Sequence, residues 1–259
     1  MTPQLQAAVE RAYKVFSPYS DVFGSRSLEV CRCTCCMYSK SEHELLNTPL
    51  HEITPSTLAE YTNSAHGWDD AVISREFRYF LPRYLELMAQ YNPPSYNSDL
   101  GFCLSRIGRA QWLNKWPENE VECVNAFFDE LVRAILLDVS HQVPGQHRFN
   151  TLDIEDVLSC IHHAGGDLER ALKVWDAAPD PGAALNMASL RYEITWSNGE
   201  PTLSDWDFDQ SMRAEGNRIA AFLRRPEVDE RIEAAFFMTE NEGWQKILSD
   251  AGFLGETRL

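Results

Sequence analysis

The chain has 259 residues, 44% hydrophobic and 24% charged, and its 23 Lys and Arg against 39 Asp and Glu leave a net charge of −16. That length and apolar fraction suffice for a sizeable core in one large domain or two modest ones. The charge repels phosphate backbones and anionic membrane surfaces, which argues against direct nucleic-acid or membrane binding, and it favours fast association with cationic partners.

In chain order, Met1 to Tyr13 carries Glu10 and two Gln and has no apolar core of the kind a secretory signal needs. Apolar runs such as Ala134 to Leu137 are far too short to span a bilayer, so a soluble cytoplasmic protein is expected. Ser27 to Met37 is short, cysteine-rich and β-prone, and reads as strand or loop. Thr54-Pro55 places a capping hydroxyl before a proline suited to a first helical turn. Ile73, Phe77, Phe80, Leu81, Tyr84 and Met88 then recur at helical steps of three and four. Pro82 lies inside that stripe and lacks a donor N–H, so it predicts a kink or a new helix start. Pro117, Glu118 and Glu120 open a second stripe through Val121, Val124, Phe128, Leu131, Ile135 and Val139.

Gln142 to Asn150, with Pro144-Gly145, is the natural internal boundary. It suggests an N-terminal helical lobe over 1–142 with the cysteine-rich segment and a C-terminal helical lobe over 151–259, or one continuous domain. Thr151 and the acids Asp153, Glu155 and Asp156 suit a helix start, and Ile154, Val157, Leu158 and Ile161 form its apolar face. Gly165-Gly166 reads as a turn before Leu168, Ala171, Leu172 and Trp175. Leu190, Tyr192, Ile194 and Trp196 alternate as a strand would, ahead of a hairpin-type Asn198-Gly199. Leu185, Ser189, Tyr192 and Trp196 also fit a helix, and the helix is favoured because an isolated hairpin is marginal. Three further helices are predicted around Met212 to Leu223, Ile232 to Phe236 and Trp244 to Ala251. The expected fold is a mainly α multi-helix array or bundle with at most one minor β hairpin.

The common catalytic signatures for serine hydrolysis, phosphate loops, dinucleotide binding and zinc proteolysis do not occur. The most specific feature is the cluster Cys31, Cys33, Cys35 and Cys36 within a chain of seven cysteines. A secreted disulfide framework spreads its cysteines through a short chain, so these read as reduced thiols or metal ligands. Four thiolates match zinc's tetrahedral demand, and zinc is the metal they would take; no other cofactor is expected. In an extended strand Cys31, Cys33 and Cys35 would stand about 6.6 Å apart, too far for one ion without a bend. A turn would bring them together, and His43 or His51 could complete the set. The alternative is a group of buried thiols acting as small hydrophobes. A cysteine nucleophile would need a histidine nearby, and none of His66, His141, His162 or His163 is singled out.

Acidic stretches are the second candidate. Pro117 to Ser140 holds six acids and one arginine, and the segment from Glu200 onward holds thirteen acids against seven basic residues. Glu118, Glu120 and Glu122, and Asp205-Trp206-Asp207-Phe208-Asp209, offer carboxylates for a partner's Arg or Lys, with Trp206 as an aromatic anchor and Asp207 and Asp209 beside it. The competing view is a solvated face whose aromatics belong to the core.

Cys33 to Met37, Asn47-Thr48-Pro49-Leu50-His51-Glu52 and Tyr61 to Trp68 lead into Glu76-Phe77-Arg78-Tyr79-Phe80-Leu81-Pro82-Arg83-Tyr84-Leu85-Glu86-Leu87. This succession, over roughly the first third of the chain, resembles an uncharacterised group of bacterial helical proteins, some encoded beside polymorphic toxins. The resemblance carries no catalytic residues. It implies an immunity protein that binds a basic toxin domain in the cytoplasm and occludes it, with thiolate metal binding or cysteine chemistry as the alternative.

Overall fold

The computed structural model describes residues 1–20, 27–31, 33, 36–65, 70–95, 103–139, 153–206 and 210–256. These residues are 73% helical, with thirteen α-helices and one two-stranded antiparallel sheet. None of these helices is long and apolar enough to cross a membrane. The chain forms two compact units, one of Met1–Leu131 with Asp156–Asp167, the other of Val132–Glu155 with Leu168–Leu259. The predicted boundary between Gln142 and Asn150 lies outside the described residues.

In the first unit, α1 (Pro3–Val15) starts at Thr2, whose hydroxyl accepts from the Leu5 amide at 3.2 Å. Its buried residues Leu5, Ala8, Val9 and Ala12 form one stripe, which packs on α4 (Asp70–Ala89). Helices α2 (Ser39–Asn47) and α3 (Pro55–Asn63) pack on each other, and Thr54 caps α3 as its sequence predicts, accepting from the Thr57 amide at 3.1 Å. Pro82 neither ends α4 nor starts a new helix. The bond it cannot donate is one among twenty residues, and Phe77, Phe80, Leu81, Tyr84 and Leu85 are fully buried around it.

Two short helices, α5 (Ser105–Arg109) and α6 (Trp112–Lys115), precede α7 (Glu118–Leu137). Helix α8 (Ile154–His163) ends at the predicted glycine pair. Gly165 sits at φ +66°, where a side chain is strained, and the Gly166 amide donates to the Ile161 carbonyl at 2.8 Å. The Trp112 indole N–H then donates to the Ala164 carbonyl at 2.7 Å, fixing that turn.

The second unit is built around α10 (Pro181–Arg191), in which nine residues from Gly182 to Arg191 are buried. Helix α9 (Leu168–Ala177) reaches it through the Trp175 indole N–H, which donates to the Ala183 carbonyl at 3.0 Å. Helices α11 (Gln210–Leu223), α12 (Pro226–Met238) and α13 (Glu242–Glu256) pack against α10. Arg191 is buried at its end, donating from Nε to the Leu223 carbonyl at 2.8 Å and pairing with Asp229 at 2.6 Å.

The helix expected through Trp196 stops at Arg191 instead. Strands β1 (Ile194–Ser197) and β2 (Glu200–Leu203) follow, with Ile194 opposite Leu203 and Ser197 opposite Glu200. Asn198 at φ 54° and Gly199 at φ 84° make the two-residue turn. The correction has a physical cause. The hairpin is not isolated, because β2 lies on α11 with Thr202 and Leu203 buried, so tertiary packing supplies what two strands alone lack.

Candidate metal centre

Residues 28–31, irregular except for a single β-bridge residue at Val30, are held by side chains and backbone from three helices' neighbourhoods. The Leu28 amide donates to Glu42 Oε1 of α2 at 2.6 Å. The Glu29 amide donates to Glu76 Oε1 of α4 at 2.8 Å. The Cys31 amide donates to the Ala65 carbonyl, just past α3, at 2.6 Å. Glu42 and Glu76 are both buried, so these are bonds to carboxyl oxygens shielded from water.

The Cys36 amide donates to the Cys33 carbonyl at 3.3 Å, and the two sulfurs lie 3.2 Å apart. The Cys33 amide reaches back to Cys31 Sγ at 3.5 Å. The ligand atoms of Cys31, Cys33 and Cys36 all lie within 4.8 Å of one another. Tetrahedral zinc with bonds of about 2.3 Å sets its sulfurs about 3.8 Å apart, so the trio brackets that spacing. The convergence that a straight strand lacks is present in these three sulfurs. Cys35 lies outside the described residues. His43 and His51 are not part of the converging group; His43 is exposed on α2, and His51 lies 3.5 Å from Glu52.

Cys33 is exposed, while Cys31 and Cys36 are half-buried, unlike the remaining described cysteines Cys103, Cys123 and Cys160, which are buried. Burial pushes the Cys123 thiol up to about 11, the inert extreme. At Cys31 the Cys33 amide favours the thiolate, but hydrogen bonding with the Cys33 and Cys36 thiols outweighs it and the net shift is upward. At Cys36 an Ala65 backbone hydrogen bond favours the thiolate, and the Cys33 thiol with desolvation again turns the net shift upward. Three crowded sulfurs resist becoming three bare anions. A divalent cation removes that obstacle by supplying the opposite charge, and the two N–H···S bonds are already set for thiolates.

A buried polar cluster that sequence reading missed braces this site. Arg106 donates from Nη2 to the Thr62 and Ser64 carbonyls, at 2.7 Å each, and its guanidinium lies 4.5 Å from the centre of the Tyr61 ring. It therefore fixes the chain just before Ala65, which in turn holds Cys31 and Cys36. The Tyr61 hydroxyl donates to Glu76 at 3.3 Å. Burial raises Glu76 to about 7 despite hydrogen bonds from Glu29 and Tyr61 that oppose the shift.

The acidic candidates are scattered. Glu118 and Glu122 are exposed on α7. Glu120 is buried, 3.0 Å from Arg78 and accepting from the Tyr19 hydroxyl at 2.7 Å. Asp205 is exposed, whereas Trp206 is buried and donates from its indole to Glu155 at 3.1 Å. Asp207 and Asp209 lie outside the described residues. No protein-family model, curated protein or solved structure matches the chain.

Proposed function

We propose that the protein is a thiolate metal-binding protein that holds one zinc-class ion through Cys31, Cys33 and Cys36. The convergence of three sulfur ligand atoms within 4.8 Å carries this reading. The fourth ligand is water or Cys35. The ion ties Cys33 and Cys36 to Cys31, on the segment held by Glu42, Glu76 and Ala65, so metal binding and local order are one event. Protein purified under reducing conditions should hold close to one equivalent of zinc by elemental analysis. Cys33→Ser and Cys36→Ser should lose it, while Cys123→Ser should keep it. Full zinc content in both cluster variants, or none in the wild type after addition of zinc, would overturn the reading.

A second reading is favoured by a separate observation. Phe237 and Met238, at the end of α12, are 76% and 64% exposed. Glu230, Glu233 and Glu240 are exposed on or beside the same stretch. An exposed aromatic residue on a helix that also exposes carboxylates, in a chain of net −16, suits a basic protein domain with an apolar socket. This is the chemistry of an immunity protein that occludes a basic toxin domain. Titration with a basic toxin domain encoded by a neighbouring gene should give a complex whose association slows as salt rises. Phe237→Ala and Glu233→Lys should weaken it at least tenfold, against smaller effects of Glu118→Lys, Glu122→Lys and Asp205→Lys. Absence of a complex refutes the role, and a larger effect at Glu118 or Asp205 moves the interface there.

A further inference from the structure

The metal reading leaves one relation unused, that of Cys33 to Cys36. Their sulfurs are 3.2 Å apart, and the Cys36 amide donates to the Cys33 carbonyl at 3.3 Å. A backbone bond between residues three apart keeps their Cα atoms within about 7 Å, and disulfides span Cα separations of about 4.4–6.8 Å. To bond, the sulfurs must close by about 1.2 Å, to the 2.05 Å of a disulfide, which side-chain rotation and small backbone adjustment provide. Cys33 is exposed and meets solvent first; Cys36 is half-buried behind it. Cys31 is two residues from Cys33, a tighter loop to close, and its sulfur is engaged by the Cys33 amide.

We propose that Cys33 and Cys36 form an oxidation site, at which a hydroperoxide converts the two thiols into a disulfide and thereby expels a metal bound at the cluster. The Cys33 sulfur attacks the peroxide O–O bond, forming a sulfenic acid and releasing hydroxide, which takes a proton to become water. The Cys36 sulfur then attacks Cys33 and displaces that oxygen as a second water. Two thiols and one hydrogen peroxide give one disulfide and two waters; two electrons pass from the sulfurs to the peroxide. Two of the thiolates are thereby lost to the metal, and the ligands that remain are too few to hold it. The disulfide stands independently of the metal, while the expulsion rests on the proposed function.

The sequence makes the test direct. Cleavage after Arg32 and Lys40 separates Cys31 from a peptide holding Cys33, Cys35 and Cys36. The full chain, loaded with zinc and freed of excess, is treated with one equivalent of hydrogen peroxide. The expected result is loss of two hydrogens within residues 33–40, release of zinc to a chromogenic chelator in equal proportion, and reversal of the bridge by dithiothreitol. Cys35→Ser should still form the bridge and Cys36→Ser should not. Cys103 should react at least tenfold more slowly, as a buried thiol. A bridge formed in a protein that never takes up zinc supports the oxidation site and overturns the metal reading. Zinc retained after the bridge has formed overturns the expulsion. No bridge in the wild type, or a bridge that survives in Cys36→Ser, overturns the oxidation site.

Discussion

Glu155 offers the sharpest test of the second unit's electrostatics. It lies at the start of α8 and accepts from the Trp206 indole at 3.1 Å. Burial, then repulsion from Asp153, Asp205 and Glu193, raises its carboxyl from 4.5 to about 8. A carboxyl whose folded value lies above its unfolded one contributes stability below the unfolded value and loses it as pH rises through the folded one. The window therefore runs from 4.5 to about 8, with stability falling as pH increases. At about 1.36 kcal/mol per unit the ceiling is about 5 kcal/mol. Amides at the N-terminus of α8 favour the anion and offset part of that, so about 2–4 kcal/mol is expected. Glu155→Gln keeps the acceptor for Trp206 and removes the charge. Urea unfolding should show the variant more stable by that amount at about pH 8.5, the gap shrinking below about 1 kcal/mol at about pH 5. Stability differences that do not change between the two pH values, or a variant weaker at the higher one, would refute the reasoning.

Arg106→Met should cost about 2–4 kcal/mol, since the buried Thr62 and Ser64 carbonyls lose their donor, and should also weaken zinc binding at least tenfold by releasing the chain before Ala65; unfolding and competition with a chelator measure the two. Gly199→Val forces a β-branched residue to φ 84° and should cost about 1–2 kcal/mol by thermal unfolding, while open space around the glycine means no clash adds to it. Phe77→Ala empties a fully buried position on α4 and should cost about 3–5 kcal/mol by the same measurement.

Long helices were legible because burial and period agree. The α4 stripe from Ile73 to Met88 and the glycine turn after α8 both stand as their spacing predicts. Glu76 was legible too, though unread. It lies three residues after Ile73 and four before Phe80, on the apolar face, where a carboxylate needs a buried partner. Glu120 has the same signature against Cys123 and Val124, which explains its turn inward toward Arg78. The hairpin was hidden because its support is α11, a neighbour that no local pattern reveals. At the cysteine cluster the residue types were plain from spacing, but the segment that carries Cys31 is held by Glu42, Glu76 and Ala65, which no local pattern around the cysteines reveals.

The burial of α10 bears on how the chain is made. A helix covered on nearly every side has no stable place until its covers exist, and here α11, α12 and α13 all leave the ribosome after it. During synthesis Ala183, Leu185, Met187 and Leu190 emerge as an apolar segment with nothing yet to receive it. At roughly 5–20 residues per second that exposure lasts a few seconds, long enough for a chaperone to engage it. A released chain truncated before Gln210 should therefore display a protease-sensitive α10, and the full chain a protected one.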